Sequence, residues 1–488
     1  MRKVEVSRRP SGDPAAPVDP AASVKSAESA DTVGAADTVK AAESAESAEP
    51  EGRPTIPLPD AGLQSQRIQS MFFWVAPTLV VVILASLLGA AYLGGNVNPR
   101  KNLHGFPVAI VNADRGAGTI DGGRLDAGDD ITAGLLEQID GNDFDVTVMN
   151  GREAIDAMSK GELYGAIVIP ENFSSRLNAW AIGTVVDNDV TAPEIRIVGN
   201  PRVGPGALAV MREFGHEVAP RVNESVGEKL IDRLEAAHAE NMAGDTVDGD
   251  AALGGALRAA AAHPVNVVFE DFHPLPDGTG NGLSAFYWTL LIVLAGFTGA
   301  MVTSQIVDNR LGVIPLEVGP KIIRRNRPGL TRTATLVVKL GLSATQAFLV
   351  AAIYIAIGHY VGMPIGDAWA LWAFTAAMIV AVGWVSHAIN AVFGNAGLII
   401  NLVIFIILGL PSAGGTLPLE AVPEFFRQLG HIAPMHQIYV GSRSLLYLDG
   451  AWDSGVGQSA VYAGVSVLSA VAIGLVVMKW YDRAGHER

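Results

Sequence analysis

The chain has 488 residues, 49% hydrophobic and only 17% charged, with a formal net charge of −15. Soluble domains carry about 25% charged residues, so this balance points to a membrane protein. The absence of cysteine excludes disulfides and thiolate metal sites, and the basic residues form no continuous face outside one loop, which argues against nucleic-acid binding.

Residues 1–66 repeat Ala, Ser, Glu, Asp and Thr (SVKSAESADTVGAADTVKAAESAE). Such a stretch buries too little surface to offset its ordering entropy and reads as a disordered cytoplasmic tail, with a docking or phosphorylation role as the alternative. Met71–Leu93 is the first apolar run, longer than the ~20 residues a helix needs to cross a bilayer, and it reads as a retained signal anchor.

Residues 96–282 then have a mixed α/β pattern. PVAIVN (107–112), FDVTVM (144–149), YGAIVIP (164–170), EIRIV (194–198) and PVNVVFEDF (264–272) read as strands. REAIDAMSKGEL (152–163) reads as helical, with Ile155, Met158 and Leu163 near helical spacing, and Ala207 to Met242 reads as a long helix. Strands separated by helices predict a small α/β sandwich. Gly278–Gly282 is expected to be a flexible hinge at the membrane. Asp187/Asp189 and Asp245/Asp248/Asp250 lack the spacing of a calcium loop and read as solvated acids.

Leu283–Val307 is the second span. A basic loop, 308–332, follows with Arg310, Lys321, Arg324, Arg325, Arg327 and Arg332, and short loops rich in Lys and Arg stay in the cytoplasm. That loop orients the chain, although Arg100 and Lys101 after the first span oppose the assignment. Thr333–Gly358, Ala368–Phe393, Leu398–Leu410 and Ser459–Met478 complete six predicted transmembrane helices with both termini inside. Residues 96–282 become extracytoplasmic, and 283–480 a five-helix membrane domain. Leu398–Leu410 is short for a bilayer, and the Gly/Pro-rich stretch after it (411–455) is expected to fold back as an outer re-entrant loop.

Polar residues inside spans are costly, so they are the leads for a pathway. His387 and Asn390 share one helix face, Gln346 lies mid-span in the third helix and Asn401 in the fifth. They either line a substrate or proton path or hydrogen-bond between helices. Lys339 is expected to snorkel from its span. Ala295/Gly299 and Ala85/Gly89 have small-xxx-small spacing and predict packing seams. The outer loop (Ser412, Gly414, Gly415, Pro418, Pro423, Pro434) is either a gate or a fixed lid. No phosphate loop, nucleophile elbow or His-Glu-x-x-His is present, so neither catalysis nor a cofactor is expected.

PVAIVNADRGAG (107–118), LYGAIVIPENFS (163–174) and the Ser-x-Gly-Gly-x-x-Pro stretch at 412–418 resemble the ABC-2-type transporter permeases, particularly their YhgE/Pip (phage infection protein) and DUF3533 relatives. The resemblance covers about 70–480 and rests in the outer domain on Asn112, Asp114, Gly116, Pro170, Asn172 and Phe173. It implies a homodimeric plasma-membrane permease exporting a hydrophobic or amphipathic compound. The implied partner is a separate ATPase docked on the basic loop. Such exporters carry a Glu-rich stretch there, whereas Glu317 is the lone glutamate here. That departure brings in a second expectation, a non-transporting envelope or secretion-associated scaffold whose outer domain binds a partner.

Overall fold

The computed structural model describes residues 71–96, 98–118, 123–186, 191–242, 263–323 and 329–485. The tail (1–66), both acidic loops, and Arg324, Arg325 and Arg327 lie outside the described residues. The chain divides into Met1–Pro77 and Thr78–Arg488. Of the first unit only the start of helix α1 (Met71–Asn96) is described.

The α/β region alternates strands and helices: β1 (Phe106–Asn112), α2 (Ala127–Gln138), β2 (Phe144–Val148), α3 (Gly151–Lys160), β3 (Gly165–Ile169), α4 (Phe173–Val186), β4 (Glu194–Gly199), α5 (Pro205–Met242) and β5 (Asn266–Asp271). The sheet order is β2-β1-β3-β4-β5, parallel except for the β3–β4 pair. Strand alternation sends Phe106, Val108 and Ile110 to one face, where α2, α4 and α5 cover them. Ala109 and Val111 go to the other face, against α3.

Every expected strand is present, and so are α3 and α5. Helices α2 and α4 were not predicted. Ile155 is 55% exposed, and Ala154 takes the buried place beside Met158. The helix starts at Gly151 under an Asn150 capping box, which fixes the phase of its buried face.

The helical region comprises α6 (Leu283–Arg310), α7 (Arg332–Tyr360), α8 (Ala368–Phe393), α9 (Ala396–Leu402), α10 (Glu424–Gly430), α11 (Pro434–Tyr447) and α12 (Gly457–Arg483). Between α6 and α7 a hairpin forms from β6 (Leu316–Val318) and β7 (Lys321–Ile323). Five helices are long and apolar enough to cross a membrane, among them Thr78–Gly95 of α1. The expected fifth span at 398–410 is shorter: α9 continues only as a π-helical turn, Val403–Ile407.

Helix α8 is the centre of the bundle, with half of its apolar window buried against 11% for Thr78–Gly95. The close seam is α6 against α8. A Cβ on Gly296 would lie 2.6 Å from Val382, whereas Gly299 and Gly89 meet nothing within 4 Å. The small-residue seams expected at Gly299 and Gly89 are therefore absent from these helices' described surroundings, and the contact falls at Gly296. The Gly278–Gly282 segment is likewise a packed turn. Thr279 is 3% exposed, and its carbonyl accepts a hydrogen bond from Tyr447 (3.4 Å).

Candidate functional site

The ends of α6, α8 and α12 remote from the sheet, with the start of α7, enclose a cavity of about 710 Å³. A buried ion pair lines it: Lys339 Nζ lies 2.9 Å from Asp308 Oδ2, with side chains 8% and 10% exposed. Asp308 sits in the last turn of α6, and Lys339 about two turns into α7. Because α6 and α7 run antiparallel, these positions meet at one depth. Lys339 does not snorkel, since a buried partner holds it. A buried pair is costly to desolvate, so its retention is a lead.

His387 is 1% exposed and lines the same cavity. Its Nδ1 is 3.2 Å from Ser304 Oγ, while its Nε2 has no hydrogen-bond partner among the described residues. Asn390 lines the cavity one turn on. Asn401 stands behind it, donating from Nδ2 to Asn390 Oδ1 (3.1 Å) and to the Ser386 carbonyl (3.3 Å). Three of the four expected pathway residues therefore converge. Gln346 does not join them: it is exposed and accepts from Thr303 Oγ1 (2.8 Å), an interhelical bond between α6 and α7. Sequence reasoning missed Asp308 and the cavity positions of Arg332 and Lys339.

The opposite face of α8 borders a second cavity of about 560 Å³, lined almost entirely by apolar side chains. At about 100° per residue, His387, Asn390, Ala391 and Gly394 form one face, and Ala388, Ile389, Val392 and Phe393 the other. One helix thus separates a polar space from an apolar one.

At the end of the bundle nearer the sheet, residues 411–455 form a packed lid. Ser412 is fully buried and donates to the Leu408 carbonyl (2.6 Å). A Cβ on Gly415 would meet Phe286 at 2.4 Å, so no larger residue fits without displacing that ring. The backbone at Gly414 is left-handed (φ 76°) beside His436. Pro418 precedes a short 3-10 turn (Leu419–Ala421), Pro423 precedes α10, and Pro434 opens α11, each where a missing amide costs least. The lid also holds the α/β region. Tyr439 donates to the Val203 carbonyl (3.3 Å), the His104 amide donates to the Glu420 carbonyl (2.9 Å), and the Tyr164 hydroxyl donates to the Glu420 carboxylate (3.2 Å). Burial raises the Glu420 carboxyl above its ordinary 4.5, against the opposing Tyr164 bond and the Arg443 and Arg427 charges. The Tyr164 hydroxyl is raised by burial, then by the Glu420 charge.

The two motif-bearing turns of the α/β region, at 112–116 and 170–173, build structure. Asp114 Oδ1 accepts from the Ser174 amide (2.9 Å), and Oδ2 accepts from the Gly128 amide (3.1 Å) and the Ser174 hydroxyl. One carboxylate therefore meets the N-termini of α2 and α4, where helix dipoles favour negative charge. Asn112 Oδ1 accepts from the Asp114 amide (3.1 Å). A Cβ on Gly116 would overlap Asp126, and its φ of +70° suits glycine. Pro170 and Asn172 set up the entry to α4, accepting from the Phe173 and Arg176 amides, and Phe173 is fully buried. In the expected docking loop, Arg310 ends α6, Lys321 begins β7, and Glu317 on β6 lines the polar cavity.

Residues 70–479 match the family described as ABC-2 family transporter protein. An uncharacterized protein, YhgE of Bacillus subtilis (strain 168), is 25% identical over 161 residues, which cover 33% of this chain and 18% of that relative. The match thus spans under a fifth of that relative's length. No solved structure matches.

Proposed function

The chain belongs to the ABC-2 family of transporter proteins, and from that premise we propose that it is a permease exporting a hydrophobic or amphipathic compound. In this reading the cavity-bearing ends of the helices face the cytoplasm, the α/β region lies outside, and α9 with the residues after it completes a sixth crossing. The chain sits in the plasma membrane as a homodimer and is driven by a separate ATPase at the β6–β7 hairpin.

The observation that carries this reading is the pair of cavities on opposite faces of α8. A buried ion pair and polar side chains on one face are hard to account for in a mere anchor, because the bilayer penalises them. An apolar cavity on the other face gives an amphipathic compound a place for its second half.

A second reading keeps the chain as a non-transporting envelope scaffold. It is favoured by the lid, which is packed against the α/β region through Tyr164, Glu420 and Tyr439. The full-length protein, purified in mild detergent from its native membrane, separates the two. A stoichiometric nucleotide-binding subunit supports the permease. Envelope or secretion components without any ATPase overturn it.

A further inference from the structure

The apolar cavity beside α8 is a slot. Along α8 its wall runs from Met378 to Phe393, about 22 Å at 1.5 Å per residue. Along α12 it runs from Tyr462 to Ile473, and from the short fifth span only Ile404 and Phe405 reach it. A volume of about 560 Å³ over that length leaves a mean section of about 25 Å². A helix of about 10 Å diameter needs about 80 Å², so neither a further helix of this chain nor one of a second copy fits inside. Apolar carbons pack about 4 Å apart, so an extended hydrocarbon chain does. At the floor, Met378, Val382, Phe405 and Ile438 are at most 3% exposed, whereas Val465, Ile473 and Phe393 at the rim are more than half exposed. The slot therefore opens sideways, onto the side that the bundle turns to lipid. Water does not fill an apolar cavity, and an empty one forfeits the dispersion contacts of its walls. A bilayer supplies a filler of the right section, a lipid chain. At its Phe393 end the slot meets the polar cavity: Val392 and Phe393 line the one, and the next residues, Gly394 and Asn395, line the other.

We propose that this slot takes the extended hydrocarbon chain of a long-chain amphiphile entering sideways from the bilayer, with its polar end at the 393–395 turn beside the polar cavity. This rests on the export reading and names the class of compound within it, linear-chained rather than built of fused rings. A membrane phospholipid and a free fatty acid share such a chain, and the test distinguishes them.

Full-length protein in membrane vesicles is irradiated with palmitic acid, or with a phosphatidylethanolamine, carrying a diazirine at the end of its chain, and the adducts are mapped by mass spectrometry. Slot adducts should gather at Met378, Ile438 and Tyr462, saturate, and fall away with excess unlabelled compound. Adducts on Phe348, Leu349 and Ile353, exposed on α7 and outside the slot, should rise without saturating. The compound that saturates at the lower concentration is the source. Ser469→Phe and Val385→Phe, which fill the slot from opposite walls, should abolish the slot adducts and spare those on α7, while Ser469→Ala should keep both. Slot adducts that do not saturate, or that persist in both filled variants, overturn the proposal. Adducts gathered at Phe393 overturn the placement of the polar end, and cholesterol competing as well as palmitate overturns the linear chain. An unlabelled slot whose Ser469→Cys joins two copies by a disulfide overturns the proposal in favour of a second copy covering it. Saturable slot adducts without any copurifying ATPase count against export and not against the slot. An ATPase partner with no saturable adducts counts against the slot alone.

Discussion

Lys339 Nζ and Asp308 Oδ2 meet at 2.9 Å between α6 and α7, with no more than a tenth of either side chain exposed. Removing one partner takes a buried counter-charge away from the other. Lys339→Met is expected to destabilise the protein by about 3–5 kcal/mol, and Asp308→Leu combined with it to recover most of that loss. Thermal unfolding in detergent checks both. Equal loss in the single and double variants would mean that the pair contributes through packing rather than charge.

The Glu420 carboxyl, raised above 4.5 by burial, makes the lid's hold on the α/β region pH-dependent. A group whose pKa is higher in the docked state binds more protons there. Its contribution is therefore full below the ordinary value and fades as pH rises through the raised one. Glu420→Gln cannot ionise but still accepts from Tyr164. Its unfolding midpoint should match wild type near pH 4.5 and exceed it at higher pH. A difference independent of pH would contradict the assignment.

Asp114→Ala removes acceptors at the starts of two helices at once. With caps worth about 0.5–2 kcal/mol each, a loss of about 1–4 kcal/mol is expected. Hydrogen exchange in the full chain should quicken first at the N-terminal turns of α2 and α4. Uniform quickening across the sheet would point instead to a general loss of packing.

Gly296→Leu should force α6 away from Val382 and sharply lower the unfolding midpoint, while Gly299→Ala, facing open space, should stay within about 0.5 kcal/mol of wild type. Parallel unfolding curves decide between the two positions.

Much of the architecture was legible because membranes and sheets impose strong periodicities. Ala368–Phe393 falls where the apolar run does, PVAIVN is a short apolar run buried on both faces, and EIRIV alternates as a half-buried strand must. Helix α2 begins Ala-Gly-Asp-Asp and carries a second glycine at Gly134, so its pattern is weak and it went unread. The ion pair was missed for a different reason. With the second span ended at Val307, Asp308 fell into the loop, and Lys339 alone reads as a snorkelling cation. Only when α6 runs on to Arg310 do the two oppose each other. An acid near the end of one span and a base early in the next is a signal that antiparallel geometry makes readable. His387 and Asn390 were found because the i, i+3 spacing survives any choice of helix boundary. Gln346 shares their chemistry but faces away, and polarity alone does not give direction.

The central claim is that the polar cavity is a water-reached path for a transported molecule. Because the chain has no cysteine, Asn390→Cys introduces a lone reporter. In membrane vesicles a water-soluble, membrane-impermeant thiol reagent should label it from the side that labels Lys321→Cys, and not from the side that labels Asp143→Cys. A thiol at 390 that stays unlabelled from both sides, while both controls react, would make these polar residues interhelical packing and contradict the account.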